Sequence, residues 1–178
     1  SKYLPASVKV PTYKGGGPPI TLGHLSDHTS SMLRMPTNMP ESDPTDPAAD
    51  YTPELMYAFL SSYELPREVG SEYEYSNFAV GVLGQIQALA AGTSYEEALT
   101  SVITSPLKMK ETAITLSPKM KENLAVGHSM GMPVNNWDLN AMQGAGGIRS
   151  SAHDMLLYLS ANLGLTKSQL SKAMELTH

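Results

Sequence analysis

Residues 73–92 read YEYSNFAVGVLGQIQALAAG, and this stretch predicts the longest helix of the chain. Apolar residues recur around most of the helix circumference between Phe78 and Ala90, so the helix should be buried on several sides. Gly92 stands at the position where many helices end in a left-handed residue. The tripeptide Tyr75-Ser76-Asn77 lies at the entrance of this helix. A buried helix with a polar tripeptide at its start is therefore the centre of the predicted fold.

Shorter helical patterns, separated by irregular segments, fill much of the remaining chain, which shows no internal repeat. Most begin with a side chain of the type that caps helices. Two predicted helices precede the central one: residues 22–27 with Thr21 as N-cap, and a helix from Thr52-Pro53 to a point before Pro66. Three follow it: from Ser94 with Glu97 to about Thr104, from Ser151 with Asp154 as a capping box to Gly164, and from Thr166 with Gln169 onward. In the helix that begins at Ser151, one face carries Met155, Leu156, Leu159 and Leu163.

Strand signals are few. Residues 111–116 and 123–126 are the candidates, and they cannot build a complete sheet. The prolines between Arg34 and Tyr51 predict a long loop without secondary structure. The predicted fold class is therefore mainly α with few short strands. Because a helical pattern stops at His178, we interpret residues 1–178 as a single helical region, a fragment of a larger protein that supplies the sheet.

The composition, with 41% hydrophobic and 16% charged residues, is that of a soluble globular protein. A net charge of −5 and scattered Lys and Arg residues argue against a nucleic-acid partner and against a membrane surface. No apolar run approaches the roughly 18–20 residues that span a bilayer. The N-terminal sequence SKYLPASVKVP lacks the features of a signal peptide. Because the chain has no cysteine, disulfides, thiol catalysis and cysteine-based zinc sites are excluded.

The tripeptide Tyr75-Ser76-Asn77 offers two groups that suit acyl transfer. A phenol ionises near pH 10 in water, so Tyr75 becomes a useful proton acceptor only beside a cation that favours its anion or shares its proton. Asn77 can direct its amide the same way, toward a substrate carbonyl and the same cation. Both are candidate catalytic residues. In a purely structural interpretation, Tyr75 and Phe78 are core aromatics and Ser76 is a helix cap.

Six blocks of sequence occur in a characteristic order. They are ITLGHL at residues 20–25, HTS at 28–30, GSEYEYSNF at 70–78, PLKMKET at 106–112, NWD at 136–138 and GAGGIRSSAHDM at 144–155. Together they resemble the central region of the serine β-lactamase family, which includes class C β-lactamases, D-alanyl-D-alanine carboxypeptidases and related esterases. The resemblance covers nearly the whole chain.

This resemblance implies an enzyme with a mixed sheet and an inserted, mostly helical region, and the chain looks like the helical region. In the family, a Ser-x-x-Lys motif supplies the acylated serine and its lysine. A Tyr-x-Asn motif, matched here by Tyr75 and Asn77, supplies the proton shuttle and a substrate contact. A Lys- or His-Thr-Gly strand binds the carboxylate side of the substrate. The implied partners are a small-molecule β-lactam, peptide or ester substrate and the sheet region of the same enzyme. No cofactor or metal is implied, and the implied location is periplasmic or secreted.

Two of these motifs have no acceptable match. Ser105-Pro106-Leu107-Lys108 satisfies Ser-x-x-Lys literally, but it follows the Tyr motif and coincides with the family's Pro-Leu-x-Met-Lys stretch, so we interpret it as coincidental. No Lys-Thr-Gly or His-Thr-Gly occurs. The isolated chain is therefore predicted to be inactive. One loop also departs from the family: where relatives read His-Thr-Ser-Gly-Leu-Pro, residues 28–33 read HTSSML, without the glycine that commonly supplies a positive φ.

Two alternatives stay open. The first is a non-catalytic, stand-alone helical module for binding or structural use, whose apolar faces would be polar or covered by self-association. The second is a His-based metal-binding protein, because His24 and His28 stand four residues apart. The intervening Leu25-Ser26-Asp27 lacks the glutamate of zinc hydrolases, and no third ligand is evident.

Two further patterns are better explained by structure than by chemistry. Ser150, Ser151, His153 and Asp154 include the residue types of a catalytic triad, but neighbours along one helical turn point apart, so capping explains them better. The glycines at 15–17 and 144–147 resemble flexible loops, and neither run is followed by the Lys-Ser/Thr of a phosphate-binding loop.

Overall fold

The computed structural model describes residues 2–40 and 42–177 and is mostly helical, as the sequence predicts. Within these residues, the helices are too short or too polar to cross a membrane. The elements in chain order are α1 (Leu22–Ser26), α2 (Pro53–Ser62), α3 (Asn77–Ala91), α4 (Tyr95–Leu99), a π-helical turn (Thr100–Thr104), α5 (Pro118–Glu122), β1 (Gly127–Ser129), β2 (Met132–Val134), a 3-10 helix (Asn140–Ala145), α6 (Ala152–Asn162) and α7 (Ser171–Glu175).

The chain divides into two compact units. The first consists of Ser1–Gly92 and Val126–Gly147, and the second of Thr93–Ala125 and Ile148–His178. The first unit therefore contains α1 to α3, the β-hairpin and the 3-10 helix, and it holds the tripeptide. The second unit contains α4 to α7. That residues 1–178 form the single helical region of a larger enzyme stays a prediction.

Helix α3 lies at the centre of the first unit's core. Ser76 caps its start, and Gly92 ends it in the left-handed conformation with φ of +67°, as predicted. Phe78 packs edge-on against Phe59 of α2, with 4.9 Å between the ring centroids. The prediction that the helix is buried on several sides is confirmed, although Leu89 is exposed. The buried residues are Phe78, Ala79, Gly81, Val82, Gly84, Ile86 and Ala88.

Glycines allow the 3-10 helix to lie directly on α3. A Cβ on Gly144 would stand 2.9 Å from the Cα of Gly84 and 2.9 Å from the carbonyl oxygen of Val80. Both are backbone atoms, which cannot rotate away, so no larger residue fits without moving the helices apart. The predicted flexible loop over residues 144–147 is therefore partly wrong, because Gly144 lies within a helical segment that packs on the core.

The long loop between Arg34 and Tyr51 contains no helix or strand among its described residues, as predicted. Side chains hold this loop against α2. The hydroxyl of the fully buried Tyr51 donates to Oδ1 of Asn38 at 3.1 Å, and Nδ2 of Asn38 donates to the carbonyl of Leu55 at 2.8 Å. Burial raises the pKa of Tyr51, so its hydroxyl keeps the proton that this hydrogen bond requires.

The hairpin lies beyond the predicted strand at residues 123–126. Strands β1 and β2 pair antiparallel, with Ser129 opposite Met132. The two residues between them, Met130 and Gly131, both have positive φ angles, +51° and +79°. Two-residue turns with this backbone favour hairpins, so the turn rather than the apolar content of the preceding segment decides where the strands form.

Residues 111–116 form no strand, contrary to the prediction, and contribute one isolated bridge between Ala113 and Arg149. Carboxylates occupy the backbone donors that a strand would use. Oε1 of Glu96 accepts from the N–H groups of Ile114 and Thr115 at 2.9 and 2.7 Å. The segment is therefore held by side chains instead of by a neighbouring strand.

Helices α4 and α6 of the second unit begin where predicted. Ser94 and Glu97 form a reciprocal capping box, and the helix continues through the π-helical turn to Thr104. The last helix differs from the prediction, because α7 begins at Ser171 and excludes Thr166 and Gln169. The hydroxyl of Ser171 donates to the carbonyl of Ser168, so residues 168–171 form a turn and the helix begins at its end.

Asp154 has a different role from the predicted one. Its N–H donates to Oγ of Ser151 at 3.2 Å, so Ser151 is the N-cap of α6. The carboxylate does not complete the capping box. Instead Oδ2 accepts from the N–H of Glu111 and from Oγ1 of Thr112, each at 2.7 Å, and the residue is only 1% exposed. Asp154 therefore ties α6 to the segment that was predicted as a strand.

Candidate active site

Ser76, the middle residue of the tripeptide, is fixed by three hydrogen bonds and is fully buried. Its Oγ accepts from the N–H of Ala79 at 2.9 Å and donates to the carbonyl of Leu33 at 2.8 Å. Its N–H donates to Nδ1 of His28 at 3.1 Å. The structural interpretation of Ser76 as a helix cap is confirmed. Because Ser76 is held on both sides, the backbone positions of Tyr75 and Asn77 are held as well.

Residues 28–34 run beside residues 70–78 and are joined to them by backbone hydrogen bonds. The N–H of Gly70 donates to the carbonyl of Thr29 at 2.9 Å, that of Glu74 to His28 at 2.8 Å, and that of Phe78 to Arg34 at 3.2 Å. The loop that departs from the family pattern thus lies directly against the tripeptide.

Tyr75 lies at the surface, with 46% of its area exposed. Its ring centroid is 4.6 Å from the imidazole of His28, which also contacts Tyr73 at 5.6 Å. The guanidinium carbon of Arg34 lies 5.5 Å from the Tyr75 centroid, within cation–π range. Because the Tyr75 ring contacts His28 and Arg34 but stays open to solvent, its hydroxyl is accessible to a group that these residues do not supply.

Asn77 is the first residue of α3 and is half-buried. Its Nδ2 donates to Sδ of Met35 at 3.5 Å, a weak hydrogen bond to sulfur. A thioether is a poor competitor for an amide proton, so a substrate carbonyl could replace it. The structure therefore places both predicted site residues at one end of α3, with residues 34 and 35 beside them.

Two residues of the adjoining loop adopt left-handed backbone conformations without being glycine. His28 has φ of +62° and Ser31 has φ of +63°. Ser31, which stands where relatives have glycine, therefore keeps a positive φ. A hydrogen bond from its Oγ to the carbonyl of Arg67, at 3.0 Å, compensates for part of the backbone strain.

Replacing Ser31 with Ala is expected to lower the free energy of unfolding by about 1 kcal/mol, because the strain stays while the buried hydrogen bond is lost. Ser31→Gly should cost less, since glycine relieves the strain. Urea denaturation measures both changes. Ser30→Ala is the matched control: the Ser30 hydroxyl is buried without a hydrogen-bond partner among the described residues, so its removal should not destabilise. Equal losses for Ser30→Ala and Ser31→Ala would contradict this account.

His24 and His28 each use Nδ1 for a backbone contact. Nδ1 of His24 accepts from the N–H of Thr21 at 3.3 Å, completing the capping box of α1, and Nδ1 of His28 accepts from Ser76. Within residues 2–40 and 42–177, no group of three or more His, Cys, Asp or Glu side chains is arranged to hold a metal ion. Both histidines therefore have structural contacts that explain their presence.

Ser105 and Lys108 belong to the second unit and line a cavity of about 440 Å³ together with Thr100, Thr104 and Thr112. Lys108 has φ of +60°, so residues 105–108 do not continue as the regular helix in which positions i and i+3 share a face. This geometry supports the interpretation of the Ser-x-x-Lys match as coincidental.

The sequence did not identify His28, Arg34 and Met35 as neighbours of the site. His28 and Met35 contact the tripeptide across 48 and 42 positions of sequence. The HTS block was a signal for His28, since it belongs to the family resemblance. No local pattern marks Arg34 or Met35, because their position depends on how the loop packs on α3.

A family model described as Beta-lactamase matches residues 1–178. The chain is 36% identical over 164 residues to the D-alanyl-D-alanine-carboxypeptidase/endopeptidase AmpH of Escherichia coli K12, covering 92% of this chain and 41% of that protein. It is 27% identical over 144 residues to a β-lactamase of the same organism, covering 81% of this chain and 36% of the relative.

Solved structures agree with these matches. A β-lactamase/D-alanine carboxypeptidase from Yersinia pestis superposes with a TM-score of 0.80 at 29% identity, covering 97% of this chain and 48% of that one. A class C β-lactamase from Rhodobacter sphaeroides gives a TM-score of 0.73 at 26% identity, covering 88% and 43%. The chain thus spans less than half the length of each of these relatives. With the family model matched along its whole length, the chain belongs to the β-lactamase family.

Proposed function

We propose that this chain is the helical region of a serine hydrolase that cleaves amide or ester bonds of β-lactams or D-alanyl peptides through an acyl-enzyme. One observation carries the proposal. Ser76 is fixed by three hydrogen bonds at the start of α3, so that the exposed Tyr75 and the half-buried Asn77 are held on either side of it. In the family that this chain belongs to, a Tyr-x-Asn motif has this place.

In the proposed reaction, Tyr75 moves protons. With a lysine of the sheet region favouring its anion, the phenolate oxygen accepts the proton of the serine hydroxyl as Oγ bonds to the substrate carbonyl carbon. The carbonyl electrons move to oxygen. When that oxyanion collapses, the bond to the leaving nitrogen or oxygen breaks, and Tyr75 returns the proton to the leaving atom. Water then repeats the sequence on the acyl-enzyme and frees the serine.

Asn77 would orient the substrate. Its amide lies one residue beyond the fixed Ser76, and its present acceptor is the weak Sδ of Met35. A substrate carbonyl oxygen is a stronger acceptor for the same N–H. Asn77 would therefore exchange the sulfur for the substrate and hold the scissile bond beside Tyr75.

The apolar surface of α6 supports the enzyme proposal over a stand-alone module. Met155, Leu156 and Leu159 follow the predicted helical spacing but are 49%, 64% and 50% exposed. A module that functions alone would need this face to be polar or covered. An uncovered apolar face instead agrees with a partner region of the same protein that packs there. From the family to which the chain belongs, we also propose a periplasmic or secreted location.

Intact-mass analysis after incubation with a chromogenic β-lactam tests the proposal. The complete gene product should gain the mass of the β-lactam, on a serine of a Ser-x-x-Lys motif encoded upstream of these residues. Residues 1–178 expressed alone should gain nothing, because they hold the proton shuttle without its nucleophile. An adduct on a serine within residues 1–178 would refute the prediction that the nucleophile lies outside these residues. A complete product that is never acylated by β-lactam, D-alanyl peptide or ester would refute the proposed function.

A further inference from the structure

We infer that Arg34 binds a second carboxylate of the substrate, on the side chain of the acyl group, and so directs the enzyme toward dianionic substrates. This inference rests on the proposed function of Tyr75 and Asn77. It assigns to the site a substrate class that those two residues do not determine.

Arg34 is held beside the candidate site by its own backbone. Its carbonyl accepts from the N–H of Phe78 in the first turn of α3 at 3.2 Å. Its guanidinium carbon lies 5.5 Å from the Tyr75 ring centroid, and the next residue, Met35, contacts the Asn77 amide. The charge therefore stands beside the ring of the proposed proton shuttle, and the residue that follows Arg34 contacts the residue proposed to hold the substrate carbonyl.

The guanidinium of Arg34 has no acidic partner in the described part of the chain. In the same unit, Lys14 pairs with Glu64 at 2.7 Å and Arg67 pairs with Glu74 and Glu72. Lys2 and Lys9, like Arg34, form no salt bridge among the described residues, but only Arg34 lies beside Tyr75. Arg34 is exposed and contacts the Tyr75 ring, an interaction that uses its charge and none of its five N–H donors. In a chain with a net charge of −5, an exposed arginine without an acidic partner is a free anion-binding group.

The geometry indicates which carboxylate Arg34 would meet. The family resemblance assigns one substrate carboxylate to a Lys- or His-Thr-Gly strand, which this chain does not contain. Asn77 contacts the acyl side of the substrate in the proposed reaction, and Arg34 and Met35 adjoin Asn77. A carboxylate near Arg34 is therefore a different one, carried by the acyl side chain. The fork of N–H donors matches the two oxygens of a carboxylate.

Two penicillins that differ by one carboxylate test the inference. Benzylpenicillin and its analogue with a carboxyl group on the side-chain α-carbon are compared in the complete gene product, by acylation rate and by KM. In Arg34→Gln, the KM for the α-carboxyl substrate should rise about tenfold or more relative to benzylpenicillin. Arg34→Lys should restore part of the preference, and added salt should weaken the preference of the wild type.

Lys14→Gln is the matched control. It removes one positive charge from the same unit, at the Lys14–Glu64 pair, which is distant in sequence from Arg34. The ratio of the two KM values should therefore stay unchanged. If Arg34→Gln changes both substrates equally, Arg34 only packs on Tyr75 and the inference is wrong, while the proposed function stands. If neither penicillin acylates the wild-type enzyme, and no D-alanyl peptide or ester does so either, the proposed function is wrong. This inference is then wrong as well.

Discussion

Replacing Tyr75 with Phe is expected to slow acylation of the complete gene product by about 10²–10⁴-fold, the usual contribution of general acid–base catalysis. Phenylalanine keeps the ring that contacts His28 and Arg34 and removes only the hydroxyl that carries the proton. Because the ring contacts remain, stability should change little. Stopped-flow kinetics with a chromogenic β-lactam measure the rate, and thermal denaturation confirms that the variant is folded.

Tyr73→Phe is the matched control for that experiment. Tyr73 also contacts the His28 ring, with 5.6 Å between the ring centroids, and is 68% exposed. It stands two residues before the proposed shuttle, so loss of its hydroxyl should leave the rate near that of the wild type. Similar losses for Tyr73→Phe and Tyr75→Phe, or an unchanged rate for Tyr75→Phe, would contradict the assignment of Tyr75.

Replacing Asp154 with Ala is expected to lower the free energy of unfolding by about 2–4 kcal/mol, because it removes a buried carboxylate that accepts hydrogen bonds from two donors. Those donors are the N–H of Glu111 and the hydroxyl of Thr112, each 2.7 Å from Oδ2 of Asp154. Water cannot easily replace the carboxylate at a residue that is 1% exposed. Urea denaturation gives the change in free energy.

Asp43 offers a control with the same chemistry at the surface. Its Oδ1 accepts from both the N–H and the hydroxyl of Thr45, each at 2.8 Å, and these hydrogen bonds hold the pKa of the Asp43 carboxyl below its usual range. Asp43 is exposed, so water takes over both donors in Asp43→Ala, and the loss should be much smaller than for Asp154→Ala. If the two variants lose equal stability, burial does not account for the role of Asp154.

The local features of this fold could be predicted from sequence, because helix caps and chain breakers act over a few residues. Thr21, Thr52, Ser76 and Ser94 each cap the helix that their position indicates. The prediction of a strand at residues 111–116 failed because distant side chains took over its backbone groups. Glu96 occupies the N–H groups of residues 114 and 115, and Asp154 that of residue 111, so the predicted strand does not form.

In the candidate site, too, local motifs could be predicted from sequence and contacts between distant residues could not. Tyr75 and Asn77 can be proposed from sequence because their motif is contiguous, whereas His28, Arg34 and Met35 contact them only through the path of the loop. A periodic pattern contains no information about which loop residue lies against which helix end. The left-handed Ser31 illustrates the limit further, because its side-chain hydrogen bond to residue 67 supports a turn for which sequence rules favour glycine.

Ser76 has a consequence for how the motif can vary. Position 76 is the interchangeable middle of Tyr-x-Asn, yet in this protein its hydroxyl must both accept and donate within a space that excludes solvent. A saturation library at this codon would therefore be expected to return a short tolerated set: serine first, then the other small residues that can cap a helix. The motif itself leaves this position open, but in this protein the carbonyl of Leu33 and the N–H of Ala79 restrict it to side chains that can form both hydrogen bonds.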